Sequence, residues 1–288
     1  MKNTLITLII ILISNSMNSD AQALNNKDGD PPLSEPVTKV YKTINDTELK
    51  TDIFFPQNLN DTGNRPAFVL FCGESWDQAS PEKGYGLCRH FASLGMVAFA
   101  VEYRPVNQKD ITPAEIVADA KSAIRWIRFN AKVLGIDTNK IAACGYYAGG
   151  YLAACTSFIN GYDEKAEDLR ISSKPNVLML ISPALSPEID PDFTKTFNQY
   201  KVAEELSPVY NIQPYSPNTF IIHGETDSVV PKSSMDEFIK KMKETKNIYE
   251  LHSFENTGHI DINNMADFML KLADSFLVVE KIIAVKKE

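Results

Sequence analysis

Short apolar runs and longer amphipathic stretches alternate along most of this chain. The continuous apolar runs are typical of strands that are covered on both faces of a parallel sheet. Strands are predicted at residues 37–44, 49–55, 67–72, 96–101, just before residue 145, at 177–181, 219–223 and 249–254. The first two alternate around a turn at 45–46, which indicates an opening β-hairpin.

The amphipathic stretches place apolar residues at three- and four-residue steps, the spacing of a helix that packs on one face. The longest, at 113–134, has Pro113 in its first turn and Gly135 just past its end. Helices are also predicted at 81–94, directly after the strand that ends near 145, at 232–244 and at 265–283. Strands and helices therefore alternate, which indicates an α/β fold with a parallel sheet.

The first 36 residues are predicted to lie outside the folded domain. Lys2, an apolar stretch at 5–13 and Ala-Gln-Ala at 21–23 are typical of a secretory signal peptide. The apolar stretch is too short to span a bilayer. We therefore expect a signal peptide at 1–23, export, and no membrane attachment after cleavage; a retained membrane anchor is the alternative. Residues 24–36 are polar and contain two adjacent prolines, which predicts a linker.

A single domain is predicted from residue 37 to 288, because a chain of 288 residues with 44% apolar content can bury one sizeable core. A proline- and aromatic-rich excursion at 183–218 is predicted to be a lid or pocket wall. Its aromatic residues are expected to form the excursion's own small core rather than substrate contacts; they are Phe193, Phe197, Tyr200, Tyr210 and Tyr215. A charged stretch at 161–174 is predicted to be a solvated loop.

The net charge indicates which partners to exclude, and the positions of the cysteines indicate whether they form disulfides. A formal charge of −8 argues against a nucleic-acid partner, which would require a basic surface. An exported protein meets an oxidising compartment. However, Cys72, Cys88, Cys144 and Cys155 fall at the ends of apolar strands or on helix faces, which favours buried thiols.

The most informative stretch runs from residue 140 to 154. An apolar run meets Gly145, two tyrosines, an alanine and a glycine pair, and small and apolar residues follow at helical spacing. This order predicts a strand, a sharp turn and a helix, the outline of the nucleophile elbow G-x-S-x-G. Glycine is needed at 145 and 149 because side chains there would collide with the neighbouring strand and helix. The serine position is occupied by Tyr147.

Gly-Tyr-Tyr-Ala-Gly-Gly at 145–150 resembles the elbow of the α/β-hydrolase superfamily, whose esterase branch typically has Gly-x-Ser-Ala-Gly-Gly. This branch includes acetyl esterases and exported carbohydrate esterases, and the resemblance covers nearly the whole chain after the signal peptide. It implies an α/β-hydrolase fold: a mostly parallel sheet of about eight strands with helices on both faces and a short lid. It also implies hydrolysis of small carboxylic esters, such as acetyl or aryl esters on carbohydrate, without a metal or organic cofactor. The family's strand order would make the strands ending at Cys72 and Cys144 neighbours, so a disulfide there is an alternative to two thiols.

The acid and base of the family's triad match two loops that follow strands. His-Gly-Glu-Thr-Asp at 223–227 resembles the acid loop and places Asp227 in the acid position, and Thr-Gly-His at 257–259 places His259 in the base position. With Tyr147 the order is nucleophile, acid, base, as in the family. In such a triad the imidazole takes the nucleophile's proton and the carboxylate holds the imidazole in the correct tautomer.

The oxyanion side departs from the family's pattern. Where the family has His-Gly-Gly-Gly-Trp after its third strand, this chain has Cys-Gly-Glu-Ser-Trp at 72–76. An oxyanion hole is predicted from the backbone N–H groups of Gly73, Glu74, Ser75 and Ala148, and substrate contacts from Trp76 and Tyr146. A carboxylate at Glu74 pointing inward would oppose an oxyanion by about 4 kcal/mol at close range.

The tyrosine at the nucleophile position leaves several hypotheses. Its phenolic oxygen stands farther from the backbone than a serine oxygen, so we expect Tyr147 to plug the pocket, with its hydroxyl bonded to His259. Ser75, Cys144 and a water activated by His259 are weaker candidates for the nucleophile. The first hypothesis is an exported esterase-type hydrolase with a non-standard or impaired site. The alternative is a non-catalytic protein that binds a ligand or partner through the old pocket, and a tyrosine introduced by engineering or sequence error is a third explanation.

Overall fold

The computed structural model describes residues 35–57, 64–75, 78–106, 111–186, 189–198, 200 and 202–285. The predicted signal peptide and all but the last two residues of the predicted linker lie outside the described residues, as does Trp76. Within these ranges no helix is long and apolar enough to cross a membrane.

One twisted sheet organises the described chain. Its strands are β1 (Val37–Ile44), β2 (Thr47–Phe54), β3 (Arg65–Ser75), β4 (Gln78–Ala79), β5 (Val97–Val101), β6 (Ile136–Tyr147), β7 (Val177–Ile181), β8 (Asn218–Gly224) and β9 (Tyr249–Phe254). Eight of them lie in the order β1-β2-β5-β3-β6-β7-β8-β9, and β4 pairs with β3 outside this path. From β5 to β9 the neighbours in this order are parallel, whereas β1 and β2 are antiparallel to their partners. The predicted fold class, a mostly parallel sheet of about eight strands, is confirmed.

Helices connect the parallel strands and pack against the sheet. They are α1 (Tyr85–Ser93), α2 (Pro113–Phe129), α3 (Ala131–Leu134), α4 (Ala148–Phe158), α5 (Pro191–Asn198), α6 (Lys232–Glu244) and α7 (Asp267–Val279). Three predicted helices are shorter in the structure: a 3₁₀ turn at Pro81–Gly84 precedes α1, the stretch predicted at 113–134 is divided at Asn130, and the helix predicted at 265–283 is observed as α7. The chain leaves this second helix at Gly135, as predicted, in the left-handed conformation with φ of 69°.

The continuous apolar runs are buried as the pattern predicts. Every residue of β5 and β7 is buried, because each lies inside the sheet between two other strands. The opening hairpin is also confirmed, since Asn45 and Asp46 both have positive φ, at 46° and 64°. Two consecutive left-handed residues form the type I′ turn that matches the twist of paired strands.

All four cysteines are buried thiols, which confirms the favoured prediction. β3 and β6 are neighbours, but their register places Cys144 opposite Leu70 and Cys72 opposite Tyr146. A two-residue offset between adjacent strands separates the two Cα atoms by about 8 Å. A disulfide requires Cα atoms within about 7 Å, so the pairing implied by the resemblance does not form.

The charged stretch at 161–174 is a loop, as predicted, and Asp168 is exposed, but three other acidic residues of this loop do not form a simple solvated face. Asp163 and Glu167 form ion pairs with the buried Arg125 of α2, at 2.5 and 3.1 Å. Glu164 lies 3.1 Å from the buried Lys42 of β1. These carboxylates are needed because they compensate cations that the fold has removed from water.

The predicted lid-like excursion, residues 183–218, contains α5 and a 3₁₀ turn at Val209–Asn211. Phe193 and Phe197 are fully buried, stack at 5.3 Å, and meet the ring of Tyr151 in α4. Tyr210 and Tyr215 are exposed. The two phenylalanines therefore pack together as predicted, but they join the excursion to the core of the domain instead of forming a separate core. Whether the excursion acts as a lid stays a prediction.

Candidate functional site

The end of β6 and the start of α4 form the sharp turn that the sequence predicts. Tyr147 lies at its apex with φ of 50° and ψ of −113°, and α4 begins at the next residue. A positive φ is strained for a residue with a bulky side chain, and such strain persists only where the surrounding structure imposes it. The backbone therefore presents residue 147 as a nucleophile elbow presents its serine.

The glycines of the elbow are required by contact with backbone. A Cβ added at Gly145 would lie 2.1 Å from the carbonyl oxygen of Gly149, and one added at Gly149 would lie 1.9 Å from the carbonyl oxygen of Phe71. Both distances are far below any van der Waals contact. Side chains at 145 and 149 would therefore collide with the neighbouring strand and helix, as predicted.

Asp227 and His259 form a hydrogen-bonded pair beyond the carboxyl ends of β8 and β9. Nδ1 of His259 lies 2.7 Å from Oδ2 of Asp227. Oδ1 of the same carboxylate accepts the N–H groups of Val229 and Val230, at 2.8 and 2.9 Å. Burial alone would raise the pKa of Asp227, but the bonds from His259 and from the two N–H groups outweigh it, and the net pKa is lowered. The carboxylate is therefore ionised at neutral pH.

The structure brings the three predicted triad positions together. The ring of Tyr147 meets that of His259 edge to face, with centroids 5.4 Å apart. Tyr146, predicted as a substrate contact, also lies with its ring centroid 5.4 Å from that of His259. Tyr146 and Tyr147 are only 6% and 4% exposed. The hydrogen bond predicted between the hydroxyl of Tyr147 and His259 stays a prediction.

The loop that carries His259 is held by two residues for which the sequence predicted no role, Ser182 and Gly224. Ser182, which directly follows β7, is buried with φ of 38°, and its Oγ accepts the N–H of Ile260 at 3.1 Å. Gly224 allows the loop to approach, since a Cβ there would lie 2.1 Å from the carbonyl oxygen of Gly258. The signal for Ser182 was its place at the carboxyl end of a buried parallel strand.

The oxyanion side differs from its prediction. The strand β3 was predicted to end at residue 72, but it continues through Ser75 and pairs antiparallel with β4. Gly73 is thereby opposite Ala79 on one side and Tyr147 on the other. The pairing with β4 therefore extends the strand past its predicted end and includes Ser75 in it.

The start of α4 supplies the other predicted oxyanion donor. Ala148 is the first residue of this helix and is fully buried. Among the described residues, no side chain caps the N-terminus of this helix. Its first N–H groups therefore lie directly beside the apex of the turn, where a nucleophile elbow places one of its donors. Within the described ranges, no group of three or more histidine, cysteine or acidic residues is arranged to hold a metal ion.

A buried carboxyl group joins the excursion to α6. Oδ2 of Asp190 accepts the N–H of Ser186 and the hydroxyl of Ser234, both at 3.3 Å, while Oδ1 has no partner among the described residues. Burial raises the pKa of Asp190 to about 7, against the effect of these two bonds, and the negative charge of Asp227 adds to the rise. Asp190 therefore carries a proton over part of the pH range in which an ordinary aspartate is ionised.

This carboxyl group predicts a pH-dependent stability. Between about pH 4, the ordinary value for an aspartate, and about pH 7 the folded state binds a proton that the unfolded chain does not, so stability falls as pH rises. We expect Asp190→Asn to stabilise the protein by about 1–2 kcal/mol at pH 8 and to have a smaller effect at pH 5. Urea unfolding at the two pH values measures both effects. Asp168→Asn, on the surface, is the control and should not reproduce them.

The comparisons agree with this geometry. The family model BD-FAE matches residues 51–181. The native structure of esterase 2 from Thermogutta terrifontis is 36% identical, with a TM-score of 0.80 over 90% of this chain and 97% of that one. Its propionate-bound form gives the same identity and score over 89% and 98%.

Two curated relatives come from Mycobacterium tuberculosis. They are a probable carboxylic ester hydrolase, LipM, 25% identical over 67% of this chain, and esterase LipC, 25% identical over 62%. The chain spans about half the length of these relatives, 48% of each. The match to the solved esterase, by contrast, extends over nearly the whole of that protein. With the elbow, the strand order and the histidine–carboxylate pair already in place, this chain belongs to the esterase branch of the α/β-hydrolase superfamily.

Proposed function

We propose that the protein is an exported esterase-type hydrolase for small carboxylic esters, with a site impaired by Tyr147. The observation that carries this proposal is the intact pair of His259 and Asp227, bonded at 2.7 Å and facing the apex of the elbow. A partly buried pair of this kind suits general-base chemistry, because the ionised carboxylate stabilises the imidazolium that forms on proton uptake. Export is supported by the signal-peptide pattern at residues 1–23.

The pair acts on a water in this proposal. His259 removes a proton from water as the water oxygen adds to the ester carbonyl. The tetrahedral intermediate then breaks its C–O bond to the alcohol, whose oxygen takes the proton back from His259, and the carboxylic acid is released. The phenol of Tyr147 is unsuited to attack, because its oxygen extends past the position where a serine oxygen would meet the carbonyl. Its ring also occupies space that an acyl group would need. The route therefore lacks an acyl-enzyme and is slow compared with serine catalysis.

The substrate class follows from the relatives. Structures of the Thermogutta terrifontis esterase are described with propionate and butyrate bound. We propose short acyl chains for this protein too, as acetyl or aryl esters, and carbohydrate esters are the natural form that the sequence resemblance favours. No metal or organic cofactor has a role in this mechanism.

The test is hydrolysis of 4-nitrophenyl acetate by the unchanged chain and by His259→Ala. Removing a general base costs about 100-fold or more, so we expect the slow hydrolysis by the native protein to fall to the rate of buffer. His252→Ala is a matched control, because His252 is a half-buried imidazole on β9 that is bonded to Glu250. Equal rates in the native protein and His259→Ala would reject the proposed function.

A second candidate is a non-catalytic protein that binds a ligand through the old pocket. It is favoured by one observation: the rings of Tyr146 and Tyr147 are almost fully buried and both close on His259. Even if these two rings leave no room for an ester, they would still present an aromatic surface of defined shape to a ligand. If the native protein does not hydrolyse esters but a short-chain carboxylate shifts the imidazole signals of His259 in NMR spectra, this second function is supported.

A further inference from the structure

His223 is a buried side chain that the proposed function does not use. It lies at the penultimate position of β8 and is 1% exposed. Neither of its ring nitrogens has a hydrogen-bond partner in the described part of the chain. Buried polar groups are nearly always hydrogen-bonded, because losing water without a replacement is unfavourable. An imidazole in this position therefore requires an explanation.

The explanation lies in its position beside Asp227. Nε2 of His223 is 3.8 Å from Oδ2 of Asp227, the oxygen that also contacts Nδ1 of His259. The other oxygen, Oδ1, already accepts the N–H groups of Val229 and Val230. The carboxylate thus lies between two imidazoles. A movement of His223 by about 0.6 Å would bring its nitrogen within the range of an N–H···O hydrogen bond.

The charge state of His223 suits it to donate one proton. Its pKa is lowered because burial outweighs the opposing influence of Asp227 and of the nearby backbone of Val230, which lies outside normal hydrogen-bond geometry, and the charges of His259 and Lys232 lower it further. The ring is therefore neutral at pH 7 and carries a single N–H. If that proton were on Nδ1, the lone pair of Nε2 would face a carboxylate oxygen and be repelled. The tautomer with the proton on Nε2 is favoured.

We infer that His223 is a positioning residue, which directs its Nε2–H to Asp227 and keeps that carboxylate ionised and oriented when His259 takes up a proton. A neutral donor is suited to this role, because a second positive charge beside His259 would oppose its protonation. The inference rests on the proposed role of His259 as a general base. The negative charge of Asp227 also acts on the carboxyl group of Asp190, so Asp190 is kept unchanged in every variant below.

The test compares two substitutions in the otherwise unchanged chain. His223→Gln keeps an N–H donor near the position of Nε2, whereas His223→Leu fills the space without one. The carboxyl carbon of Asp227 is followed by NMR against pH in aspartate-labelled protein, with Asp227→Asn to assign the signal. Donors lower a carboxyl pKa, so His223→Leu should raise the titration midpoint of Asp227 by about one pH unit. His223→Gln should leave the midpoint within about 0.3 unit of the native value.

Two results would overturn the inference. If folded His223→Leu titrates like the native protein, the contact has no effect on Asp227. If both substitutions shift the midpoint equally, packing of the ring and not its N–H is responsible. A second readout uses the Tyr147→Ser background, where His223→Leu should lower kcat about tenfold without changing KM. The NMR titration does not require the native chain to hydrolyse esters, so failure of the proposed function and failure of this inference are distinguishable.

Discussion

Tyr147→Ser is expected to raise the hydrolysis of 4-nitrophenyl acetate by at least about 1000-fold over the native chain. The reason is that the substitution places a hydroxyl at the strained apex, within reach of an imidazole that is already bonded to an ionised carboxylate. Loss of the nucleophile from a complete serine triad costs about 10⁶-fold in kcat. We expect only part of this to return, because the strand-paired segment at Gly73–Ser75 replaces the family's glycine-rich oxyanion loop.

Three controls separate the new nucleophile from simple removal of a ring. Tyr147→Ala opens the same space without a hydroxyl and should stay near the native rate. Tyr146→Ser removes the neighbouring ring but places its hydroxyl away from the apex. The double substitution Tyr147→Ser with His259→Ala should lose the gain. If Tyr147→Ala is as active as Tyr147→Ser, water rather than an acyl-serine carries the reaction, and the elbow has not recovered its function.

An acyl-enzyme gives the same prediction a direct observable. A burst of 4-nitrophenol equal to the enzyme concentration should precede steady turnover in Tyr147→Ser. Mass spectrometry of the quenched protein should show one added acetyl group at residue 147. The native chain should show neither signal, because its phenol is not placed to attack.

Most of the fold could be predicted from the sequence because the signals are local. A parallel strand buried on both faces must be apolar throughout, so β5 and β7 could be predicted within one residue of their observed bounds. The helix α6 was predicted with its observed bounds for a similar reason, since its apolar residues recur at helical spacing. β4 was missed because two residues are too few to show any period.

The acidic residues of the loop at 161–174 show what local sequence patterns cannot predict. Asp163 and Glu167 follow a surface-like pattern, yet their partner Arg125 lies on a helix 38 and 42 residues earlier. Glu164 meets Lys42 in the first strand. The sequence alone does not indicate which cations the fold will bury. A run of acidic residues therefore predicts a solvated face until the tertiary partners are known.

Unlike the partners of these charges, the residues of the candidate site could be predicted from the sequence. Its residues are far apart in sequence, but each follows a strand of a parallel sheet, and the carboxyl ends of such strands meet at one edge. The resemblance to the family's elbow, acid loop and base loop placed Tyr147, Asp227 and His259 together, and the structure does so. It did not identify His223 or Ser182, because their contribution depends on contacts behind the reacting groups rather than on a motif.

The contact between α4 and β3 gives the largest expected effect on stability. A Cβ at Gly149 would lie 1.9 Å from the carbonyl oxygen and 2.5 Å from the carbonyl carbon of Phe71. Phe71 lies inside the sheet, where β3 pairs with β5 on one side and β6 on the other. β3 cannot move away from α4 without breaking its hydrogen bonds to β5 or β6. The helix α4 would therefore have to shift by about 1 Å or more to restore normal contact.

We therefore expect Gly149→Ala to destabilise the protein by more than about 4 kcal/mol, a large part of the stability of a typical domain. Gly84→Ala should have an intermediate effect, because its Cβ would meet the flexible side chain of Leu70, at 2.3 Å, rather than backbone. Gly258→Ala should change stability by no more than about 0.5 kcal/mol, since nothing lies within 4 Å of its added Cβ. The three variants are ranked by their soluble yield and by urea unfolding that is monitored by circular dichroism. A Gly149→Ala protein as stable as Gly258→Ala would mean that α4 does not pack on β3 as described, and the apex that presents Tyr147 would lose its physical basis.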